Sequence, residues 1–109
     1  MESNYAKYIR EREGLSIIEH EFGFVTYSIN KNICFIHDLF IVPESRRLGL
    51  ASHICNQVVK NAIEKNCDIL KGSVCPQAEN ATEALKFQLD YGMQLESSNL
   101  YTIVLSKRI

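Results

Sequence analysis

The chain shows no excess of charge of either sign: 12 Lys and Arg stand against 13 Asp and Glu, a net charge of −1 over 109 residues. That balance supplies no basic footprint for nucleic acid. No apolar run approaches the ~20 residues that a membrane-spanning helix requires. The opening Met1-Glu2-Ser3-Asn4-Tyr5 has no apolar stretch of the kind a signal peptide carries. A cytoplasmic protein without a membrane or nucleic-acid partner is therefore expected. The 4 cysteines, Cys34, Cys55, Cys67 and Cys75, form no CxxC pair and no zinc spacing. They read as reduced core thiols, with no metal site. Repeats, linkers and low-complexity segments are missing, and the length allows one domain, 1–109. Its margin of stability is modest at this size.

What is present is organised around Ile33 to Ser52. Ile33 to Val42 is nearly all apolar and reads as a central strand covered on both faces. Pro43 lacks the N–H needed to continue a ladder. Arg46-Arg47-Leu48-Gly49-Leu50-Ala51 follows, with small residues at its fourth and sixth places, and opens into a helix. The first turn of a helix leaves backbone donors unpaired and carries partial positive charge. A strand, a glycine-bearing loop and a helix start in that order suit phosphate binding. Arg46 and Arg47 add fixed charge for phosphate oxygens.

The flanking segments are legible from periodicity and punctuation. Ser3 or Asn4 can cap a helix running to Glu13, with Gly14 as its stop. Leu15–Glu21 and Phe24–Ile29 read as a hairpin pair turning near Gly23, and Asn30-Lys31-Asn32 as the turn into the central strand. Ala51, Ile54, Cys55, Val58, Val59, Ala62 and Ile63 recur at helical spacing, which predicts a helix to Lys65. Asp68–Cys75 is a strand ended by Pro76. Asn80-Ala81-Thr82-Glu83 has the form of a capping box for a helix to Tyr91, with Gly92 as stop. Met93–Glu96 and Leu100–Lys107 read as the last two strands. The fold class is α/β, a mixed sheet with helices on both faces.

The stretch Ile36-His37-Asp38-Leu39-Phe40-Ile41-Val42-Pro43-Glu44 followed by Arg46-Arg47-Leu48-Gly49-Leu50-Ala51 resembles motif A of the GNAT superfamily of acyl-CoA N-acyltransferases. The family's strand is written Leu-x-Val-x-Pro-Glu and its loop Arg/Gln-x-x-Gly-x-Gly/Ala. The resemblance extends over about residues 4 to 107 and implies a GNAT-like fold that lacks the family's usual first strand and first helix. It leaves Leu15–Glu21 as a sheet edge, a surface for a second copy or a partner.

The resemblance further implies acetyl-CoA as co-substrate and an amine as acceptor. The backbone of Leu39, Phe40 and Ile41 would pair with the pantetheine arm. The loop, Arg46, Arg47, Leu48, Gly49, Leu50, Ala51 and Ser52, would hold the pyrophosphate, with Asn80 a lesser contact. An ammonium of pKa ~10.4 costs on the order of 4–5 kcal/mol to deprotonate at neutral pH, so a base is needed. His37 and Asp38 are the only titratable side chains in the central strand. Strand alternation places Phe35, His37, Leu39 and Ile41 on one face and Asp38 on the other. His37 is the candidate base, with Asp38 a weaker one that serves equally as a brace. The family often has a tyrosine in the last helix as the acid for the leaving thiolate. Counting back from Gly92, Gln88 stands at that place and Tyr91 is three residues away. The expected activity is direct acetyl transfer in a ternary complex. The competing reading is a non-catalytic module that binds CoA or a protein partner.

Overall fold

The N-terminal segment starts at a serine for a local reason. Ser3 Oγ accepts a hydrogen bond from the Ala6 N–H at 3.0 Å, which satisfies one of the orphan donors of helix α1, Asn4–Tyr8. The helix continues as a wide π turn over Ile9–Glu13 and stops at Gly14, which is left-handed at φ 66°. A computed structural model describes residues 2–109.

Three antiparallel strands follow: β1 Ser16–His20, β2 Gly23–Asn30 and β3 Ile33–Ile41. Helix α2 spans Leu50–Glu64, β4 Ile69–Val74, α3 Ala81–Asp90, β5 Gln94–Ser98 and β6 Ile103–Arg108. The sheet order is β1-β2-β3-β4-β6-β5, and β3–β4 is its parallel pair. The mixed α/β class and the element order match the sequence expectation. The last strand begins later than expected, at Ile103, because Asn99 builds a turn there. Its side-chain oxygen accepts from the Tyr101 and Thr102 N–H groups at 2.8 and 2.9 Å.

The core lies between the sheet and α2. Ile54, Val58 and Ala62 have no solvent exposure and pack with Val25, Cys34, Leu70 and Leu105. Each fully buried branched side chain is worth about 2 kcal/mol, so this face outweighs any one polar contact. On the opposite face, Ala6 and Ile9 are buried under α1 and its π turn, and the Tyr5 ring meets Phe24 at 5.1 Å. That cover ends over β1 and β2. On β3 the outward residues His37, Asp38 and Phe40 are exposed, so the expectation of a central strand covered on both faces is corrected. Among the described residues, α2 and α3 pack on the other face, and α1 with its π turn does not reach far enough to shield it.

A β-bulge also corrects the expected alternation. Thr26 pairs with Asp38 but Tyr27 with Ile36, leaving His37 as the extra residue. Cys34 and Ile36 before the bulge and Leu39 and Ile41 after it all pack toward the α2 core. His37 keeps company with Phe35 instead, ring to ring at 5.0 Å. The cysteines divide as well. Cys34, Cys55 and Cys67 are buried, whereas Cys75 is exposed, because β4 ends at Val74 and Cys75 falls in the turn beyond it.

Gly23 shows where the backbone allows no side chain. A Cβ there would sit 2.0 Å from the Phe40 carbonyl oxygen. Gly23→Ala is expected to destabilise the fold by about 2 kcal/mol, read as a lowered denaturant midpoint. Burial pushes the Cys34 and Cys55 thiols up to about 12, so they stay protonated and unreactive. A disulfide reagent at pH 8 is expected to titrate Cys75 rapidly in the native protein and all 4 thiols after unfolding.

Candidate active site

The site begins where β3 and β4 part. Asn32 ties their starts together: its carbonyl accepts from the Asp68 and Ile69 N–H groups at 3.0 and 3.2 Å, and its side-chain amide donates to the Asp68 carboxylate at 2.7 Å. Pairing then runs only over Ile33–Phe35 against Ile69–Lys71. Beyond Ile36 the strands diverge, with β3 held by β2 and β4 by β6. A cleft of about 680 Å³ opens in the gap. Along one wall the β3 backbone from Ile36 to Ile41 has no partner on the β4 side, a row of donors and acceptors suited to an extended ligand.

The mouth of the cleft is the loop into α2. Pro43–Ser45 forms one tight turn. Arg47 and Gly49 are both left-handed, at φ 66° and 75°, and Gly49 is the N-cap of α2 without any side-chain cap. The first-turn N–H groups of this 15-residue helix therefore remain available at its positive end. Arg46 before them is extended, at φ −74° and ψ 160°. Arg46 is partly committed: its Nε donates to the Ile41 carbonyl at 2.9 Å and its guanidinium lies 5.7 Å over the Phe40 ring.

Of the residues picked out from sequence, His37, Asp38, Leu39, Phe40, Ile41, Arg46, Arg47, Gly49, Leu50, Ala51, Ser52 and Asn80 all line this one cleft. Leu48 does not; it is 69% exposed at the crest of the loop. Asn80 is the N-cap of α3 by backbone alone, with no side-chain cap, so the expected capping box is not formed and the amide is left to the cleft. His37 Nε2 contacts the Ser28 hydroxyl at 2.8 Å. Asp38 is held through its N–H, which donates to Thr26 Oγ1 at 3.1 Å. Tyr5 has its phenol pKa raised, first by desolvation and then by Asp38 and Glu19.

Sequence reading missed the far wall, Gly72 and Ser73 of β4 with Phe87 of α3. The signal that could have found Gly72 is a glycine inside a strand, which marks a close approach. The neighbour it admits is Gln88: a Cβ on Gly72 would meet Gln88 Oε1 at 2.7 Å. Gln88 Nε2 donates to the Ser73 carbonyl at 3.3 Å, and its buried Oε1 has no hydrogen-bond partner. Tyr91 is engaged elsewhere, its hydroxyl donating to Asn56 Oδ1 at 2.6 Å. Burial, then the nearby Cys55, pushes its pKa up to about 12. It is a brace between α3 and α2 rather than a free acid.

A strand splay, a left-handed glycine loop and a helix start follow one another along one cleft. The family model described as the acetyltransferase (GNAT) family matches residues 2–87. The chain belongs to the GNAT acetyltransferase family. Its fold is similar to that of a GNAT-family protein from Desulfovibrio desulfuricans, at TM-score 0.77 and 12% identity, over 94% of this chain and 74% of that one. It is similar to the PaiA N-acetyltransferase of Thermoplasma acidophilum, solved with coenzyme A, at TM-score 0.76 and 17% identity, covering 93% of this chain and 66% of that one. A GNAT acetyltransferase of Elizabethkingia anophelis with acetyl-CoA bound matches at TM-score 0.74 and 11% identity, over 98% and 86% of the two chains. No curated protein matches by sequence. Within this GNAT chain the Gln88 amide packs on Gly72 at the far wall of the cleft.

The Tyr91–Asn56 bond yields a stability prediction. Tyr91→Phe is expected to lower stability by about 1 kcal/mol, measured by urea unfolding, because it leaves the Asn56 oxygen without its donor.

Proposed function

We propose that the protein is an N-acetyltransferase that moves an acetyl group from acetyl-CoA to a primary amine by direct attack. The observation that carries this is the cleft itself: an unpaired stretch of β3 backbone leads straight into the N–H groups of a left-handed loop and a helix start. That geometry offers a continuous seat for a molecule with an amide-bearing arm and a pyrophosphate. The relatives solved with coenzyme A or acetyl-CoA support the same donor.

In this reading Leu39, Phe40 and Ile41 pair with the pantetheine arm. The N–H groups at Arg47 through Ser52 take the pyrophosphate, Arg47 adds charge, and Asn80 contributes its free amide. A backbone N–H near Phe40–Ile41 stabilises the oxyanion as the amine nitrogen attacks the thioester carbon. His37 removes the ammonium proton. If its Nε2–H donates to Ser28, the Nδ1 lone pair is left to act as base. The C–S bond then breaks and the thiolate departs. A thiol of pKa about 8.5 leaves tolerably near neutral pH, so solvent supplies the proton that the Gln88 amide cannot. Asp38 shapes the field beside the acceptor rather than taking the proton.

Calorimetry with acetyl-CoA, followed by thiol release over a panel of amines, tests the reading. Micromolar to sub-millimolar binding with turnover is expected; no binding at millimolar acetyl-CoA would sink it, and binding without turnover would point to a CoA-binding module. Gly49→Glu is expected to weaken acetyl-CoA on the order of a hundredfold by placing a carboxylate against the pyrophosphate, with the far-UV spectrum unchanged. His37→Ala is expected to lower kcat about a hundredfold and to remove the acid limb of the pH–rate profile. An unchanged profile would remove His37 from the role.

A further inference from the structure

The face of the sheet opposite α2 carries a row of aromatic rings. Tyr5 meets Phe24 at 5.1 Å, and Phe24 meets Phe40 at 5.8 Å. Tyr5 and Phe40 are each 42% exposed, and Tyr8, one helical turn beyond Tyr5, is 52% exposed. The row therefore crosses from α1 over β2 to β3. It runs into the main cleft, because His37, Asp38 and Phe40 line that cleft from β3. The bulge permits this by setting His37 and Asp38, adjacent in sequence, on the same outward face.

Charge divides along the row. At the loop end the Arg46 guanidinium lies over Phe40. At the other end stand carboxylates. Glu19 pairs with Phe24 across the β1–β2 ladder, and Ser3 Oγ donates to its Oε1 at 2.5 Å. Desolvation, then the Asp38 and Glu19 charges, raise the Tyr5 phenol pKa. The ion pairs among the described residues are Arg10–Glu2, Arg12–Glu11 and Lys71–Glu96. Asp38 and Glu19 are in none of them. Carboxylates beside exposed ring faces complement a cation twice over, by charge and by the ring quadrupole.

This face is open and spread over three elements. A small ligand is held in a concavity that buries most of its surface, whereas an extended peptide gains contact by length. Asp38 and Glu19 lie on strands two places apart, about 10 Å across the sheet, which is about three residues of extended chain. We propose that the face docks a basic peptide, with a lysine at the His37 end and a second basic side chain against Tyr5 and Glu19. The inference rests on the acetyl-transfer reading above, since it makes the peptide the amine acceptor.

The test uses the full chain, a fluorescein-labelled peptide with one lysine flanked by arginines, its counterpart with glutamates in the arginine places, and spermidine as a small polycation. Binding is read by fluorescence anisotropy with CoA present, and turnover by thiol release from acetyl-CoA. The arginine-flanked peptide is expected to bind about tenfold more tightly than the glutamate-flanked one, and less so at high salt. Glu19→Gln is expected to raise its KM about threefold and Glu19→Lys about tenfold, with kcat unchanged in both. Equal affinity for the two peptides, or no loss in Glu19→Lys, would overturn the docking face, while thiol release with other amines would leave the acetyl-transfer reading standing. A higher kcat/KM for spermidine than for the arginine-flanked peptide would make the occupant a small polycation and overturn the proposal. Charge-dependent peptide binding without thiol release would uphold the face and overturn acetyl transfer.

Discussion

The parting of β3 from β4 is the constraint on which the candidate site depends. Parallel strands ordinarily ladder evenly along their length. Here Asn32 clamps the starts of both strands, and only three residue pairs follow before the gap. Each strand survives the separation because it has a second neighbour: β3 leans on β2 for its whole length and β4 on β6. The backbone groups freed on the inner side face an open cleft, where they need no protein partner. The stored capacity for binding is thus main-chain hydrogen bonding, held open by pairing elsewhere.

The bulge at His37 is the second consequence of that arrangement. An extra residue bends a strand and strengthens its twist, and it lies just where β3 leaves its β4 partner behind. It also turns His37 away from the core while Leu39 and Ile41 return to it. Gly23 completes the geometry from the other side, since β2 crosses so close to the Phe40 carbonyl that no Cβ fits. Tight contact on the β2 side and open space on the β4 side are two aspects of one packing choice. At the far wall, Gly72 lets α3 settle against the sheet through Gln88.

Much of this was legible from the residues. The helical spacing of Ile54, Val58 and Ala62 announced the face that became fully buried. Pro43, Gly49 and the small Ala51 announced a loop that could present N–H groups, and the loop is left-handed at Gly49 as that requires. Local rules sufficed because cap, turn and periodicity are decided within a few residues of chain. The misreadings have a common origin. Strict alternation misassigned the face of Leu39 and Ile41 because a bulge belongs to a pair of strands rather than to one. The Asn80 motif resembled a cap, but the chain enters α3 at φ −93° and ψ 14°, outside the extended conformation in which such a side chain reaches the first turn.

By itself, then, the sequence determined the kind of chemistry on offer: a glycine loop at a helix start, two arginines beside it, a histidine in the adjoining strand, and no tyrosine at the place where Gln88 stands. Each of those is a property of a residue type or of a short spacing. Only the tertiary structure decided which backbone is open, that Cys75 is exposed while three other thiols are sealed, that Tyr91 is held by Asn56, and that Lys86 and Arg47 line one cavity. These depend on register between strands and on where α3 lands against the sheet. They are set by contacts between segments tens of residues apart, and no local preference encodes them.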